Sequence, residues 1–156
     1  MANEVEFKEL DIETARKLAK IWTEKLGECC CEKIDVVAGV YRGKNPTSDV
    51  DLLCMVKDEK ALEELKPVKK DSLRFVYADP DEKGEPRKVE VWYCNSEKYP
   101  LYLWYRRTPK ERFIKLASRA KAKGMRLSWK EGLIDSGGKL ITSNPTEIEK
   151  ILGGEA

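Results

Sequence analysis

The sequence predicts an α+β protein, with a mostly β first lobe and a smaller second lobe that mixes helices with short strands. Three observations support this prediction. Short apolar runs bounded by turn residues recur through the first part of the chain, and a segment of strong helical periodicity begins near residue 110. The chain has 156 residues, 41% of them hydrophobic, which is enough for an apolar core in each lobe. We place the boundary between residues 1–98 and 99–156.

The first lobe is predicted to open with an amphipathic helix over residues 11–27. Asp11 is a suitable N-cap, and Leu18, Trp22 and Leu26 recur at helical spacing. Strands, one short helix and a hairpin turn complete the lobe. Strands are predicted at 33–40, 49–56, 72–77 and 88–93, the short helix at 59–65, a loop at 41–48 and the hairpin turn at 79–86.

The second lobe is predicted to begin with a short aromatic helix over residues 100–105. A stronger helix follows at 109–123, because Pro109 suits a first turn and Gly124 suits the position just past a helix end. Three short strands and a closing helix come next. These are the strands at 126–128, 132–135 and 139–142, and the helix at 145–152 with Asn144 or Thr146 near its start.

Composition excludes several classes of chemistry. Histidine is absent, which rules out histidine-based triads and the usual zinc hydrolase motifs. The adjacent cysteines 29–31 lack the paired spacing of a zinc site, so we interpret the thiols as reduced and inside or beside a core. No apolar run is long enough to span a bilayer, and residues 1–9 are polar and acidic. We therefore expect a cytoplasmic protein that does not act on membranes.

Three carboxylates are candidate metal ligands. Asp49 and Asp51 are two residues apart on a predicted strand, so their side chains leave the same face. Glu90 lies between two valines in another strand, and it can join the pair if the strands are neighbours. Clustered carboxylates repel each other unless a cation compensates, and Mg²⁺ prefers such hard oxygen ligands. The alternative is a solvated strand edge, with Glu90 exposed and paired to Lys88 or Arg87.

The loop before these aspartates is a candidate phosphate site. Gly39 follows a strand and permits a tight turn, and Arg42 and Lys44 add positive charge. Backbone N–H groups at such a turn can bind phosphate. The alternative is a plain β-turn with exposed basic residues.

Residues 36–53, VVAGVYRGKNPTSDVDLL, resemble the nucleotidyltransferase signature of family X DNA polymerases, and KVEVWY resembles the strand with that family's third carboxylate. The resemblance extends over residues 11–153 and includes NPTEIEKILG, which is similar to the end of the family's thumb. It implies a nucleotidyltransferase palm, with a mixed β-sheet and flanking helices, followed by a small α/β thumb. It also implies site residues: Asp49, Asp51 and Glu90 for two Mg²⁺ ions (or Mn²⁺), Gly39, Val40, Arg42 and Lys44 for the phosphates, and Tyr105 beside the nucleotide sugar.

Several positions depart from the family pattern. Val40 stands where a serine hydroxyl usually meets phosphate, Glu90 replaces the commoner aspartate, and Phe113 and Ala117 replace polar residues. The implied activity is a DNA polymerase that extends a primer 3′-hydroxyl, by short-gap filling or end extension in DNA repair. The alternatives are a template-independent terminal transferase, a nucleotidyltransferase with another acceptor, and a non-catalytic module that binds DNA ends.

Charge distribution favours a nucleic-acid partner. From Arg106 to Arg126 there are nine basic residues and one acid, Glu111, although the whole chain carries a net charge of only +2. A polyanion along this segment would release counterions, whereas the alternative is a solvated basic face balanced by the acidic lobe. We expect a monomer that binds deoxynucleoside triphosphates and a DNA primer-template or DNA ends. The candidate DNA-binding residues are Arg106, Arg107, Lys110, Arg112, Lys115, Arg119, Lys123 and Arg126.

Overall fold

The computed structural model describes residues 6–153, and the chain divides between Asn95 and Ser96 into two units. Residues 1–5 of the acidic N-terminal segment, and residues 154–156 at the end of the second predicted lobe, lie outside the described range. Each unit has its own cluster of buried apolar side chains. Within residues 6–153, no helix combines the length and the apolar character needed to cross a membrane.

The first unit is built on a five-stranded mixed sheet with helices beside it. Its strand order is β1-β2-β5-β4-β3, in which β2 and β5 are parallel and the other neighbours are antiparallel. The elements are α1 (Ile12–Cys29), β1 (Cys31–Val37), α2 (Ala38–Tyr41), β2 (Val50–Val56), α3 (Glu59–Glu64), β3 (Lys69–Lys70), β4 (Arg74–Pro80) and β5 (Pro86–Cys94).

Helix α1 begins where the sequence predicts and packs its apolar face on the sheet. The Asp11 carboxylate accepts a hydrogen bond of 2.7 Å from the Thr14 N–H, which satisfies one unpaired donor of the first turn. Leu18, Trp22 and Leu26 are buried in the first core. An N-cap of this kind is worth about 1 kcal/mol, so burial of the apolar face contributes most of the stability.

Strand β2 is the centre of the sheet. Its residues from Val50 to Cys54 are all buried, which fits a strand covered on both faces. The strand next to it, β5, is reached by way of α3 and the β3–β4 segment. Strands β4 and β5 form the predicted hairpin, where the Asp81 carboxylate accepts the N–H groups of Lys83 and Glu85 at 2.9 Å each.

The second unit combines three helices with a three-stranded antiparallel sheet of order β6-β7-β8. Its core includes Leu101, Leu116, Leu133 and Ile148. The elements are α4 (Tyr99–Arg107), α5 (Lys110–Ala122), β6 (Arg126–Ser128), β7 (Gly132–Ile134), β8 (Leu140–Thr142) and α6 (Pro145–Ile151). Of the two proposed starts for α6, Asn144 is the N-cap and accepts the Glu147 N–H at 3.2 Å.

Gly132, at the start of β7, is required by the close approach of β8. Its φ of +112° is disfavoured for L side chains, and a Cβ there would lie 2.4 Å from the Thr142 carbonyl oxygen. Any side chain at this position would push the two strands apart.

The first predicted strand, at 33–40, is shifted along the chain: it begins two residues too late and ends three residues too late. The observed strand ends at Val37, and residues 38–41 form the single helical turn α2. The chain leaves the extended conformation because Ala38 adopts a φ of +58°. Gly39 and Val40 therefore lie in a helical turn rather than in a strand or a plain β-turn.

The prediction of reduced thiols is wrong for four of the five cysteines. Cys29 forms a disulfide with Cys30, and Cys31 forms one with Cys54. Cys31 and Cys54 lie on neighbouring antiparallel strands with their Cα atoms 5.6 Å apart, within the usual range for a disulfide. The pairing depends on strand register, which cysteine spacing alone does not reveal.

Candidate functional site

The three predicted carboxylates lie together at one end of the central strand pair. Asp51 on β2 is directly opposite Glu90 on β5, and Asp49 immediately precedes β2. One carboxylate oxygen of each residue lies within 4.8 Å of the other two. Asp51 and Glu90 are 7% and 4% exposed, which excludes the alternative of a solvated, exposed Glu90.

The electrostatics of this cluster are unfavourable without a cation. Burial, followed by the hydrogen bond and charge of Asp49 and by the charge of Glu90, raises the pKa of Asp51 well above its usual range. One contact opposes this shift: the Trp92 indole N–H donates to Asp51 Oδ1 at 3.3 Å and favours the ionised form. A positive charge bound near Asp51 would therefore stabilise the ionised form of this carboxylate.

Glu90 already has two cationic partners. Arg74 Nη1 lies 2.5 Å from Glu90 Oε2, and Lys88 Nζ lies 3.0 Å from Oε1. The Lys88 pair is the one named in the alternative interpretation of Glu90, but the carboxylate is buried rather than exposed. The three carboxylates and two cations together have a net formal charge of −1.

The donor set fits a divalent metal ion. Three carboxylates with ligand atoms this close offer the hard oxygen ligands that Mg²⁺ and Mn²⁺ prefer. Burial, together with the charges of Asp49 and Glu90, raises the pKa of Asp51, so a cation bound beside this carboxylate would relieve an unfavourable charge. Asp49 and Asp51 would hold an ion, and Glu90 would complete the set.

The candidate phosphate loop is connected to this cluster through Thr47. A Cβ at Gly39 would lie 3.2 Å from the Thr47 hydroxyl oxygen, so α2 needs a small residue there. The buried Thr47 hydroxyl in turn donates to the Asp49 carbonyl at 3.1 Å. Gly39 and Val40 are both buried, and the Val40 side chain packs in the first core, so a phosphate could meet Val40 only at its main chain.

Basic side chains surround the same loop. Arg42 and Lys44 follow α2 and are exposed, as a phosphate-binding role would require. Sequence reasoning missed a third cation, Arg16 of α1, whose Nη2 atom lies 3.8 Å from the Cβ position of Gly43. The i, i+4 spacing of Arg16 and Lys20 gives no indication that either residue approaches this loop.

Tyr105 belongs to an aromatic cluster of the second unit. Its ring stacks on Trp129, with centroids 5.3 Å apart, and meets the edge of Phe113 at 4.8 Å. The Arg106 guanidinium lies over both Tyr105 and Trp129, at 5.2 and 5.4 Å from the ring centroids. Arg106 is thus one predicted DNA-binding residue that packs on aromatic rings within its own unit.

Two of the candidate DNA-binding residues on α5 have partners within their own unit. Arg112 is paired with Glu149 of α6, and the Arg119 guanidinium donates to the carbonyls of Leu152 and Gly153. Both arginines therefore attach α6 to α5. Among the other predicted DNA-binding residues, Arg107 is half-buried. The exposed ones are Lys110, Lys115, Lys123 and Arg126.

A cysteine nucleophile is not supported. Within residues 6–153, Cys94 is the cysteine outside the two disulfides, and burial raises its pKa to about 11. Its thiol is therefore protonated at neutral pH and is a weak nucleophile.

Arg74 and Trp92 are site residues that sequence reasoning missed. Trp92 had a usable signal, because it is two residues beyond Glu90 on one strand and so shares its face. Prediction of Arg74 as a site residue requires the register of the hairpin, in which Arg74 pairs with Trp92 and Val76 pairs with Glu90. Alternation on a single strand cannot supply that register.

No family model and no curated protein matches the chain. Among solved structures, the chain is similar to polymerase beta of Leishmania infantum in a ternary P/T complex, with a TM-score of 0.68. The match covers 94% of this chain and 73% of that one at 13% sequence identity. The chain therefore has a polymerase-beta-like nucleotidyltransferase fold, with a mixed sheet and flanking helices, as its sequence predicts.

Proposed function

We propose that this protein is a metal-dependent nucleotidyltransferase that adds deoxynucleotides to the 3′-hydroxyl of a DNA primer. The observation that supports it most is the convergence of Asp49 and Asp51, at the start of β2, with Glu90, in the middle of β5. Such a cluster is costly to a fold unless it binds cations. The similarity to a polymerase beta structure adds support, because that structure is of a complex with primer and template.

In the proposed reaction, the primer 3′-hydroxyl gives its proton to Glu90 and its oxygen attacks the α-phosphorus of a deoxynucleoside triphosphate, while pyrophosphate leaves with the electrons of the broken P–O bond. Asp49, Asp51 and Glu90 hold two divalent ions, Mg²⁺ or Mn²⁺. When bound, these ions neutralise charge on the phosphates and lower the pKa of the attacking hydroxyl. Arg42, Lys44 and the main chain of Gly39 and Val40 bind the triphosphate.

The second unit has a separate role in this proposal. Its exposed basic residues contact DNA phosphates, and Tyr105 contacts the sugar of the incoming nucleotide. In these terms the first unit is the palm and the second is the thumb of a monomeric polymerase that acts in DNA repair. Stacking on Trp129 and Phe113 keeps the Tyr105 ring fixed, which would lower the entropy lost on binding.

The test is incorporation by Asp51→Asn and Asp49→Asn. The protein is incubated with Mg²⁺, the four deoxynucleoside triphosphates and a labelled primer, alone or annealed to a gapped template. Replacing residues that merely support metal ligands costs about 10–100-fold, so loss of a ligand should lower incorporation by more than about 100-fold. DNA binding, measured by anisotropy, should remain.

Glu32→Gln is the matched control, because it neutralises an exposed carboxylate on β1 without touching the cluster. It should retain wild-type activity. Incorporation that survives in both aspartate variants would rule out the proposed reaction. Extension of the lone primer would instead indicate a terminal transferase, and DNA binding without any extension would favour an end-binding module or another acceptor.

A further inference from the structure

Arg74 connects the two buried carboxylates of the candidate site. Its Nη1 atom is 2.5 Å from Glu90 Oε2, and its guanidinium lies over the Trp92 ring at 5.2 Å from the centroid. Trp92 in turn donates its indole N–H to Asp51 Oδ1 at 3.3 Å. One side chain on β4 therefore contacts Glu90 directly and Asp51 through a single intermediate.

Arg74 is itself held in place. Its Nε atom is 3.3 Å from Asp71 Oδ2, and the other oxygen of Asp71 accepts the N–H groups of Leu73 and Arg74. The planar guanidinium can satisfy such an arrangement because its donors point in fixed directions and its face stacks on an aromatic ring. Only 22% of the Arg74 side chain and 6% of the Glu90 side chain are exposed, so the contact between them is shielded from bulk water.

Glu90 needs such support more than an aspartate would. Its side chain has one more rotatable bond, and its carboxylate is buried beside two other carboxylates. Without Arg74, its remaining cationic partner in the described part of the chain is Lys88, whose flexible ammonium group fixes a carboxylate less firmly than a planar guanidinium, so Glu90 can lower its energy by turning away from Asp49 and Asp51. The contact with Arg74 opposes this movement and leaves lone pairs of Glu90 available, because each oxygen accepts more than one contact.

We infer that Arg74 is the positioning residue of the metal centre: it orients Glu90 and, through Trp92, restrains Asp51. This inference rests on the proposed function, since it assumes that the three carboxylates bind divalent ions. The residues whose contacts carry it lie on β4, β5 and β2, within a single unit.

The experiment measures binding of Mn²⁺ alone to the whole chain by calorimetry, for wild type, Arg74→Met, Arg74→Lys and Arg87→Met. Residues that orient metal ligands typically contribute about 10–100-fold to affinity, so Arg74→Met should weaken binding by that factor. Arg74→Lys should lie between Arg74→Met and wild type, because it keeps the charge but loses the planar fork. This partial rescue distinguishes orientation of the ligands from a general effect on stability.

Arg87→Met is the matched control. Arg87 is 19% exposed at its side chain and pairs with Asp79 in the same hairpin, so its loss perturbs the hairpin but not the carboxylates. It should bind Mn²⁺ as wild type does. Should Arg74→Met not fold, Arg74→Lys decides the question by itself.

Unchanged affinity in the Arg74 variants would overturn the inference and leave the proposed function intact. Tighter binding would also overturn it, because Arg74 would then compete with the metal for Glu90. Failure of the wild-type protein to bind Mn²⁺ would overturn the proposed function as well. The three outcomes are distinct in a single set of titrations.

Discussion

At the scale of single residues, the candidate site combines a destabilising charge with the groups that restrain it. Asp51 is buried, and its pKa is raised by that burial and by Asp49 and Glu90. Trp92 and Arg74 hold the neighbouring atoms in place but do not remove the repulsion. A chain that retains such an arrangement in its core has a less stable apo form than one without it.

This leads to a prediction for the stability of Asp51→Asn. The folded protein binds the Asp51 proton more tightly than the unfolded chain does, because the folded-state pKa is higher. The stability from this residue is thus present below the ordinary carboxyl pKa, near 3.9, and is lost as pH rises through the folded-state pKa. At pH 7, without divalent ions, Asp51→Asn should raise Tm by about 3 °C or more.

The measurement is thermal unfolding with a chelator at pH 7 and at pH 4. The gain should shrink at pH 4, and added Mg²⁺ should raise the Tm of wild type but not that of the variant. Glu32→Gln, which changes an exposed carboxylate, should have a Tm close to that of wild type and should keep the rise in Tm on addition of Mg²⁺. A lower Tm for Asp51→Asn at pH 7 would mean that the charged carboxylate stabilises the fold.

At the scale of elements, the disulfide between Cys31 and Cys54 joins β1 to β2, the strand that carries Asp51. It closes a loop of 23 residues, which corresponds to about 3 kcal/mol of stability in the chain-entropy model. Reduction of the wild-type protein should lower the free energy of unfolding by about this amount. Urea unfolding with and without a dithiol reductant measures it.

The matched control is the double variant Cys31→Ala/Cys54→Ala, which should respond little to the reductant. The remaining disulfide, between Cys29 and Cys30, spans adjacent residues and constrains almost no chain. An equal response in wild type and the double variant would contradict the assignment of stability to the β1–β2 disulfide.

Local sequence signals predict most of the helices and strands. Long-range geometry explains where the observed structure differs from the predicted one. The caps at Asp11 and Asn144 and the turn at Asp81 lie within a few residues of the groups they bind, so local patterns predict them. The helical turn α2 depends on the positive φ of Ala38, a residue with no preference for that conformation.

The same division applies to the candidate site. The shared face of Asp49 and Asp51 follows from strand alternation, whereas their meeting with Glu90 depends on β2 and β5 being neighbours, which alternation leaves open. Arg74 and the disulfide partner of Cys31 depend on which strands pair and in which register. Arg112 and Arg119 carry charges that the sequence displays, but their partners lie on α6 and just after its end, which is distant along the chain.

At the scale of the whole molecule, the basic residues of the second unit divide into two groups with different expected effects. Lys115 is exposed on α5, whereas Arg112 is paired with Glu149. Lys115→Met should therefore reduce the slope of log K against log salt for duplex DNA by about one, as expected for one lost phosphate contact. Arg112→Met should lower Tm and leave the slope nearly unchanged.

Fluorescence anisotropy with a labelled duplex over a range of KCl concentrations gives the slope, and thermal unfolding gives Tm. The two variants remove one positive charge each from the same helix, so net charge is matched between them. If both variants reduce the salt slope equally, DNA binding depends on the total positive charge of the unit, and the pairing of Arg112 has no influence on that binding.

The parallel pairing of β2 with β5 also bears on how the protein is synthesised. Asp51 and Glu90 are neighbours only across this pair, although α3, β3 and β4 separate them along the chain. Closing so long a connection is slow compared with forming a helix or a hairpin. A nascent chain therefore has Asp49 and Asp51 well before it has a complete set of ligands. The three carboxylates cannot come together until β5 has left the ribosome and the sheet has closed.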